Sequence, residues 1–294
     1  MDWIIGMQKA IDYIEDHLTE TIDYESVAAQ CYSSSYHFQR VFGILCGFTV
    51  GEYIRNRRLS LAGTELAAGD AKVIDVALKY GYENPDSFAK AFKRFHGILP
   101  SQAKSNGSML KSYSRLALKI SLKGAKPMNY RIEKKPEMIL TGYKAHFTGV
   151  PYGEDREKQE GRLFETTRGK QWLLRGAKGA SGETGTDICL ITNVDDEGYD
   201  FYYAAELEKY ERNNMYNKEV TGFEYMETFG FENIIVPEQT YAVFTTENQP
   251  YPVSDYMDIR KRIVSEWLPA NDFEIANAPE ISVYHWFPKD KREK

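Results

Sequence analysis

The sequence predicts two domains of different class: an all-α pair of helix-turn-helix units, then an α+β domain with a duplicated strand-helix-strand-strand order. Three observations carry this. Ser26 to Val50 is echoed from Val76 to Pro100 at an offset of fifty residues, with Tyr32 against Tyr82, Phe38 against Phe88, Arg40 against Lys90, Phe42 against Phe92 and Gly47 against Gly97. Self-similarity in register means one structural unit used twice. From Met128 the apolar spacing changes from a helical period to a strand period. Charge divides at the same place, residues 1–127 holding 16 Lys+Arg against 13 Asp+Glu and residues 128–294 holding 21 against 30. A length of 294 residues suits two domains of roughly 150 each.

The elements follow in order. Trp3, Met7, Ala10, Ile11, Ile14 and Leu18 share one face of a first amphipathic helix over 2–18. Asp23 is the N-cap of the next, whose Val27 and Ala28 face inward. Ser33 to Ser35 offer hydroxyls to cap a helix from Tyr36 to Leu45, and a long helix over 50–68 joins the two units. In the second unit Asn84 as N-cap and Pro85 at the first helical position start the last helix. Residues 106–127 mix Ser, Gly and Lys and read as a partly helical linker. After it, YRIEKK, MILTGYKAHF, DICLITNV, YDFYYAAEL, NIIVP, TYAVFTTE and ISVYHWF are short, aromatic and β-branched, which predicts strands. Helical runs over 156–174 and 254–268 interrupt them, and the Gly-rich stretch RGAKGASGETGTD reads as a mobile loop.

The first half resembles the double helix-turn-helix domain of the AraC/XylS transcription regulators. The signature stands in order: a turn Ser, F-x-R-x-F at Phe38 to Phe42, Gly47, Y-I-x-x-x-R-L-x-x-A from Tyr53 to Ala62, then A-x-x-x-G-Y, S-F-x-x-x-F-K and G-x-x-P. Residues 128–288 resemble the GyrI-like effector-binding domain through Gly142-Tyr143, TYAVFTTE and EWLPANDFEIANAPEISVY. The pair together is similar to the Rob-like regulators. The resemblance implies DNA reading by residues 1–105 and sensing of a small molecule by 128–288, in a cytoplasmic protein that is not an enzyme and has RNA polymerase as a candidate partner. A GyrI-like small-molecule hydrolase fused to a DNA-binding module is the alternative.

On the DNA side the first recognition helix supplies Ser34, Ser35, Tyr36, Gln39 and Arg40. The resemblance implies that Tyr36, Gln39 and Arg40 reach base edges; Gln pairs with adenine and Arg with guanine bidentately. The second helix offers Asn84, Asp86, Lys90, Lys93 and Arg94, while Pro85 and Ala89 have no side chain that hydrogen-bonds a base. The first helix is therefore expected to specify sequence and the second chiefly to hold phosphate. Residues 87–127, with nine basic side chains and no acidic one, supply an electrostatic footprint for it.

For the effector, alternation along the last strand puts Glu280, Ser282, Tyr284 and Trp286 on one face, and along YDFYYAAEL it puts Tyr202, Ala204 and Glu206 together. With Trp172 these form the expected ligand-binding set. Aromatic rings around a carboxylate suit a small hydrophobic cation. Drug-binding members of the resembled family carry a Glu where this chain has Ser282, which leaves Glu280 or Glu206 as the countercharge. The five His show no metal-ligand spacing, and no H-E-x-x-H, G-x-S-x-G or phosphate-cradling Gly loop occurs, so neither metal nor cofactor is expected. Cys31, Cys46 and Cys189 lack paired spacing and read as buried free thiols. No apolar run approaches the ~18 residues of a membrane span.

Overall fold

The computed structural model describes residues 3–105, 107–118, 127–153, 155–177, 185–207, 226–246, 252–271 and 273–286. The chain divides into two compact units, Met1–Phe42, Phe48–Lys123 and Leu268–Ile275 in one, Gly43–Gly47, Gly124–Trp267 and Ala276–Lys294 in the other.

The first unit is helical: α1 (Trp3–Asp16), α2 (Tyr24–Ala29), α3 (Ser35–Cys46), α4 (Val50–Ala67), α5 (Val73–Lys79) and α6 (Pro85–His96). Its starts are chemically specified. Asp23 accepts from the Ser26 amide at α2, Ser34 Oγ accepts from the His37 amide at α3, and Asn84 accepts from Asp86 and Ser87 at α6. Thr49 and Glu52 close a reciprocal capping box at α4. Gly97 ends α6 in the left-handed conformation, where a Cβ would be strained. The predicted apolar periodicity is the core: Met7, Ala10, Ile11, Ile14 and Leu18 are buried, as are Phe38, Phe42, Phe88 and Phe92. Each such ring contributes about 1.5–3 kcal/mol on leaving water.

The two units are not in one register throughout. Tyr32 donates to the Ala29 carbonyl and Ser33 to that of Ala28, while Gly81 donates to Leu78 and Tyr82 to Ala77. Tyr32 (φ 54) thus stands where Gly81 (φ 82) stands. The offset is 49 before the turn and 50 after it, because the second turn is one residue longer. Tyr32 and Tyr82, matched by counting, occupy different positions in the two turns.

Residues 108–118, expected to be a partly helical linker, form no helix. They run as a strap in which four amides from Lys111 onward find side chains instead of backbone. Lys111 donates to His96 Nδ1, Tyr113 to Ser60 Oγ, Leu116 to the Tyr53 hydroxyl and Leu118 to Gln8 Oε1. Arg57 donates to the Tyr113 carbonyl, and Arg115 pairs with Asp12. Extended backbone has no internal partners, so docking of this kind is what satisfies it.

The second unit contains β1 (Tyr130–Lys135), β2 (Met138–Thr148), α7 (Asp155–Thr166), α8 (Arg168–Ala177), β3 (Gly185–Thr192), β4 (Gly198–Ala205), β5 (Glu232–Val236), β6 (Gln239–Phe244), α9 (Pro252–Arg262) and β7 (Glu280–Trp286). Strands order β5-β2-β4-β3-β7 in one antiparallel sheet, and β1 pairs with β6 in a separate ribbon. The helical run read over 156–174 is broken at Thr167, whose Oγ1 bonds the Leu163 carbonyl and the Tyr143 hydroxyl. Such a hydroxyl competes with the helical ladder. One sheet face packs Tyr143, Phe147, Tyr199, Phe201 and Tyr203 with Leu163, Phe164, Leu173 and Leu174 of α7 and α8. The other packs Leu140, Leu190, Ala204, Ile234 and Val236 with Tyr202 and Tyr241. The predicted loop centred on 178–184 lies outside the described residues.

Candidate nucleic-acid interface and effector site

In the first unit α6 shows a basic face built on a fixed frame. Phe88, Phe92 and His96 are its buried side; Asn84, Asp86, Ser87, Lys90, Lys93 and Arg94 are exposed. Among the described residues none of Lys90, Lys93 and Arg94 makes an ion pair. Three cations spaced along one helix turn outward without partners give a surface ready to neutralise phosphate.

On α3, Ser34 is exposed, and Ser35, Tyr36 and Gln39 are half-buried. Gln39 Nε2 donates to Ser35 Oγ at 3.1 Å, a bond it can exchange for a base edge. Arg40 is 4% exposed, so its guanidinium has to emerge before it can meet a base. The basic cluster on α4 turns out to be divided in purpose. Arg57 binds Glu15 with Nε and Nη2 at 2.8 and 2.7 Å, and Arg58 donates to the carbonyls of Leu18 and Glu20, so both brace the fold; Arg55 stays half-exposed beside Glu52.

In the second unit the residues expected around the effector fall on two sheet faces. Register pairs Cys189 with both Tyr203 and Ser282, and Leu190 with both Tyr202 and Ile281. Ser282, Tyr284 and Glu280 therefore share the face covered by helices, while Tyr202 lies on the opposite one. Glu206 is exposed, and so is Trp172, at 76%. The side chain of Trp286 lies outside the described residues. The structure thus keeps Glu280, Ser282 and Tyr284 together and separates them from Tyr202; a single pocket does not gather all seven.

What gathers beside Glu280 instead was hidden in the sequence. Glu280 Oε1 accepts from the Tyr256 hydroxyl at 3.0 Å, and Oε2 accepts from Arg260 at 2.5 Å and from the Tyr152 hydroxyl at 3.4 Å. The Arg260 guanidinium stacks 3.9 Å over the Tyr152 ring and lies 5.0 Å from that of Tyr256. Arg156, bonded to Glu160 at 2.5 Å, lies 5.0 Å from the Tyr256 ring on its other account. In the sequence Arg156 and Glu160 stand at i,i+4 and Arg260 is one of three cations in DIRKR, spacings that by themselves carry no sign of burial. The signal that pointed inward was the odd register of Tyr199, Phe201 and Tyr203.

No group of His, Cys, Asp and Glu among the described residues is arranged to hold a metal ion. Cys189 is buried as expected, while Cys31 and Cys46 are half-buried; burial pushes the Cys46 thiol up to about 12 and raises those of Cys31 and Cys189, which favours the protonated form. No described helix is long and apolar enough to cross a membrane.

Known proteins match both halves. Residues 27–106 fit the family described as a helix-turn-helix domain, and residues 128–294 fit the family described as a GyrI-like small molecule binding domain. The transcriptional activator AarP of Providencia stuartii is 43% identical over 89 residues, 30% of this chain and 66% of that protein. The regulatory protein SoxS of Salmonella typhimurium is 34% identical over 95 residues, 32% of this chain and 89% of that protein. The right origin-binding protein of Escherichia coli is 35% identical over 89 residues, 30% of this chain and 31% of its own. The chain spans just under two thirds of the activator's length and about a third of the origin-binding protein's.

Proposed function

Because the chain belongs to the AraC/XylS family and carries a GyrI-like small molecule binding domain, we propose that it is a cytoplasmic, effector-responsive transcription regulator. Residues 1–105 bind duplex DNA, with the strap that follows them as a brace, and 128–288 bind a small hydrophobic effector. The observation that carries the reading is the face of α6, where Lys90, Lys93 and Arg94 stand exposed, without an ion pair among the described residues, on a helix fixed by the Asn84 cap.

The two helices divide the work. Tyr36, Gln39 and Arg40 of α3 read base edges, and α6 holds phosphate, since its cations carry no sequence information by themselves. RNA polymerase is the natural further partner of a protein so placed. For the second unit, sensing is favoured over hydrolysis by the state of Glu280. A general base has to take up a proton from water, and the Glu280 carboxylate is ion-paired with Arg260 and accepts from the Tyr256 and Tyr152 hydroxyls, so proton uptake would have to break into a buried pair.

Selection of random duplexes on the full chain, followed by titration of the enriched sequence with salt, tests the DNA reading. A recovered consensus whose binding weakens steeply with salt is expected; recovery of no consensus would remove sequence-specific regulation.

A further inference from the structure

Around the carbonyl of Pro151, two buried cations meet. Arg156 of α7 and Arg260 of α9 are 4% and 6% exposed, and each donates Nη1 to that oxygen at 3.0 Å. Each also holds its own carboxylate, Glu160 for the first and Glu280 for the second. The cluster is neutral as it stands, which is the condition under which charges tolerate removal from water.

That balance constrains what can bind beside it. A cationic effector would have to take Glu280 from Arg260 and strand a buried guanidinium. An anionic one would have to release Glu160 or Glu280 from its partner. An uncharged molecule disturbs neither pair.

Among the described residues two buried hydroxyls on this sheet face, those of Tyr199 and Tyr203, have no hydrogen-bond partner. Tyr199 is 0% exposed, and among the described residues no protein atom hydrogen-bonds its hydroxyl. The ring is held edge-on against Phe147 at 5.6 Å, on the sheet face against which Tyr284 packs. An unmet buried hydroxyl lowers stability and calls for a reason. Half-buried Tyr256 and Tyr284, edge to face at 6.1 Å, offer apolar ring surface on the same side.

We infer that Tyr199 is the hydrogen-bonding anchor of the effector site, and that the effector is an uncharged aromatic or apolar molecule bearing a carbonyl, ether or hydroxyl oxygen. The inference rests on the reading of residues 128–288 as an effector domain.

The test uses the full chain with three probes on one skeleton, acetylnaphthalene, naphthoate and trimethylnaphthylammonium, each titrated by calorimetry and thermal shift against the native protein and Tyr199→Phe. The ketone is expected to bind most tightly. Tyr199→Phe is expected to weaken it roughly tenfold while raising the melting temperature of the ligand-free protein, since it deletes the unmet hydroxyl. Tighter binding of the ammonium or carboxylate probe overturns the uncharged class but leaves the effector reading standing. A lowered ligand-free melting temperature, or unchanged ketone affinity, in Tyr199→Phe overturns the role of that residue. Failure of all three probes to bind overturns both this assignment and the effector reading.

Discussion

Glu15 receives both arms of the Arg57 guanidinium, Nε to Oε1 at 2.8 Å and Nη2 to Oε2 at 2.7 Å, and so ties α1 to α4. The Tyr53 hydroxyl donates to the same carboxylate at 2.6 Å and accepts from Leu116 of the strap. Both partners of the pair are largely buried. Arg57→Ala is expected to cost roughly 3 kcal/mol, because removing one partner strands the other. Urea unfolding of the variant against the native chain measures it; a change below about 1 kcal/mol would mean that water reaches the pair.

The same carboxylate sets an acid limit. Burial acts to raise the Glu15 pKa, but the bonds from Arg57 and Tyr53 outweigh it and leave the group below the ordinary carboxylate value of 4.5. A depressed folded pKa gives stability that is complete above the unfolded value and lost as pH falls through the folded one. Unfolding followed between about pH 6 and 3 should show that loss beginning near 4.5, and Glu15→Gln should flatten it.

His96 sets a second limit at milder pH. Its Nε2–H donates to the Leu59 carbonyl, a bond the charged ring can also make, while its Nδ1 accepts from the Lys111 amide, a bond that requires the neutral ring. Burial lowers its pKa, opposed by the Leu59 bond and reinforced by Lys111. Stability from this source is whole above the unfolded value of 6.5 and declines as pH falls below it. Hydrogen exchange at the Lys111 amide should accelerate between about pH 6.5 and 5, ahead of exchange in α4. A rate that keeps step with α4 would show that the strap does not release separately.

On the division of labour proposed for α3 and α6, substitutions on the two helices should differ in kind. Gln39→Ala is expected to cost about 1–3 kcal/mol on a selected site and relax preference at one position. Lys93→Ala should weaken every duplex alike and reduce the salt slope by about one. Footprinting should show two protected major-groove segments about 34 Å apart, one duplex turn. Equal loss on selected and random DNA from Gln39→Ala would remove α3 as reader.

Tyr32 pays for its left-handed backbone with no compensating burial, being 75% exposed. Tyr32→Gly should therefore stabilise the ligand-free chain by up to about 1 kcal/mol, read as a higher urea midpoint. Destabilisation instead would show that the ring makes contacts worth more than the strain.

The positions of α2, α3 and α6 were legible from local signals: Asp23, the Asn84-Pro85 pair and the spacing of Phe38, Phe42, Phe88 and Phe92 need no knowledge of distant neighbours. The strap was not, since its amides bond His96, Ser60, Tyr53 and Gln8, side chains from 15 to 110 residues away. Period-two alternation separated the faces of β4 and β7 correctly but could not say which faces coincide. That depends on the register through β3, where Cys189 sits between Tyr203 and Ser282. For the same reason Arg156 and Arg260, ordinary surface cations by spacing, gave no sign that they meet over Pro151.

The strap also determines where the protein can be cut. A fragment ended at residue 105 would retain α1 to α6 and both turns, yet would strip Ser60, Tyr53 and Gln8 of the amides they hold and uncover the side of Phe48 and Tyr53 against which Tyr113 packs. A helical fragment is therefore expected to keep its full stability only if it reaches to Leu118. A protease that nicks the chain between Ser108 and Leu118 would do more than separate two halves: it would loosen the half it leaves behind.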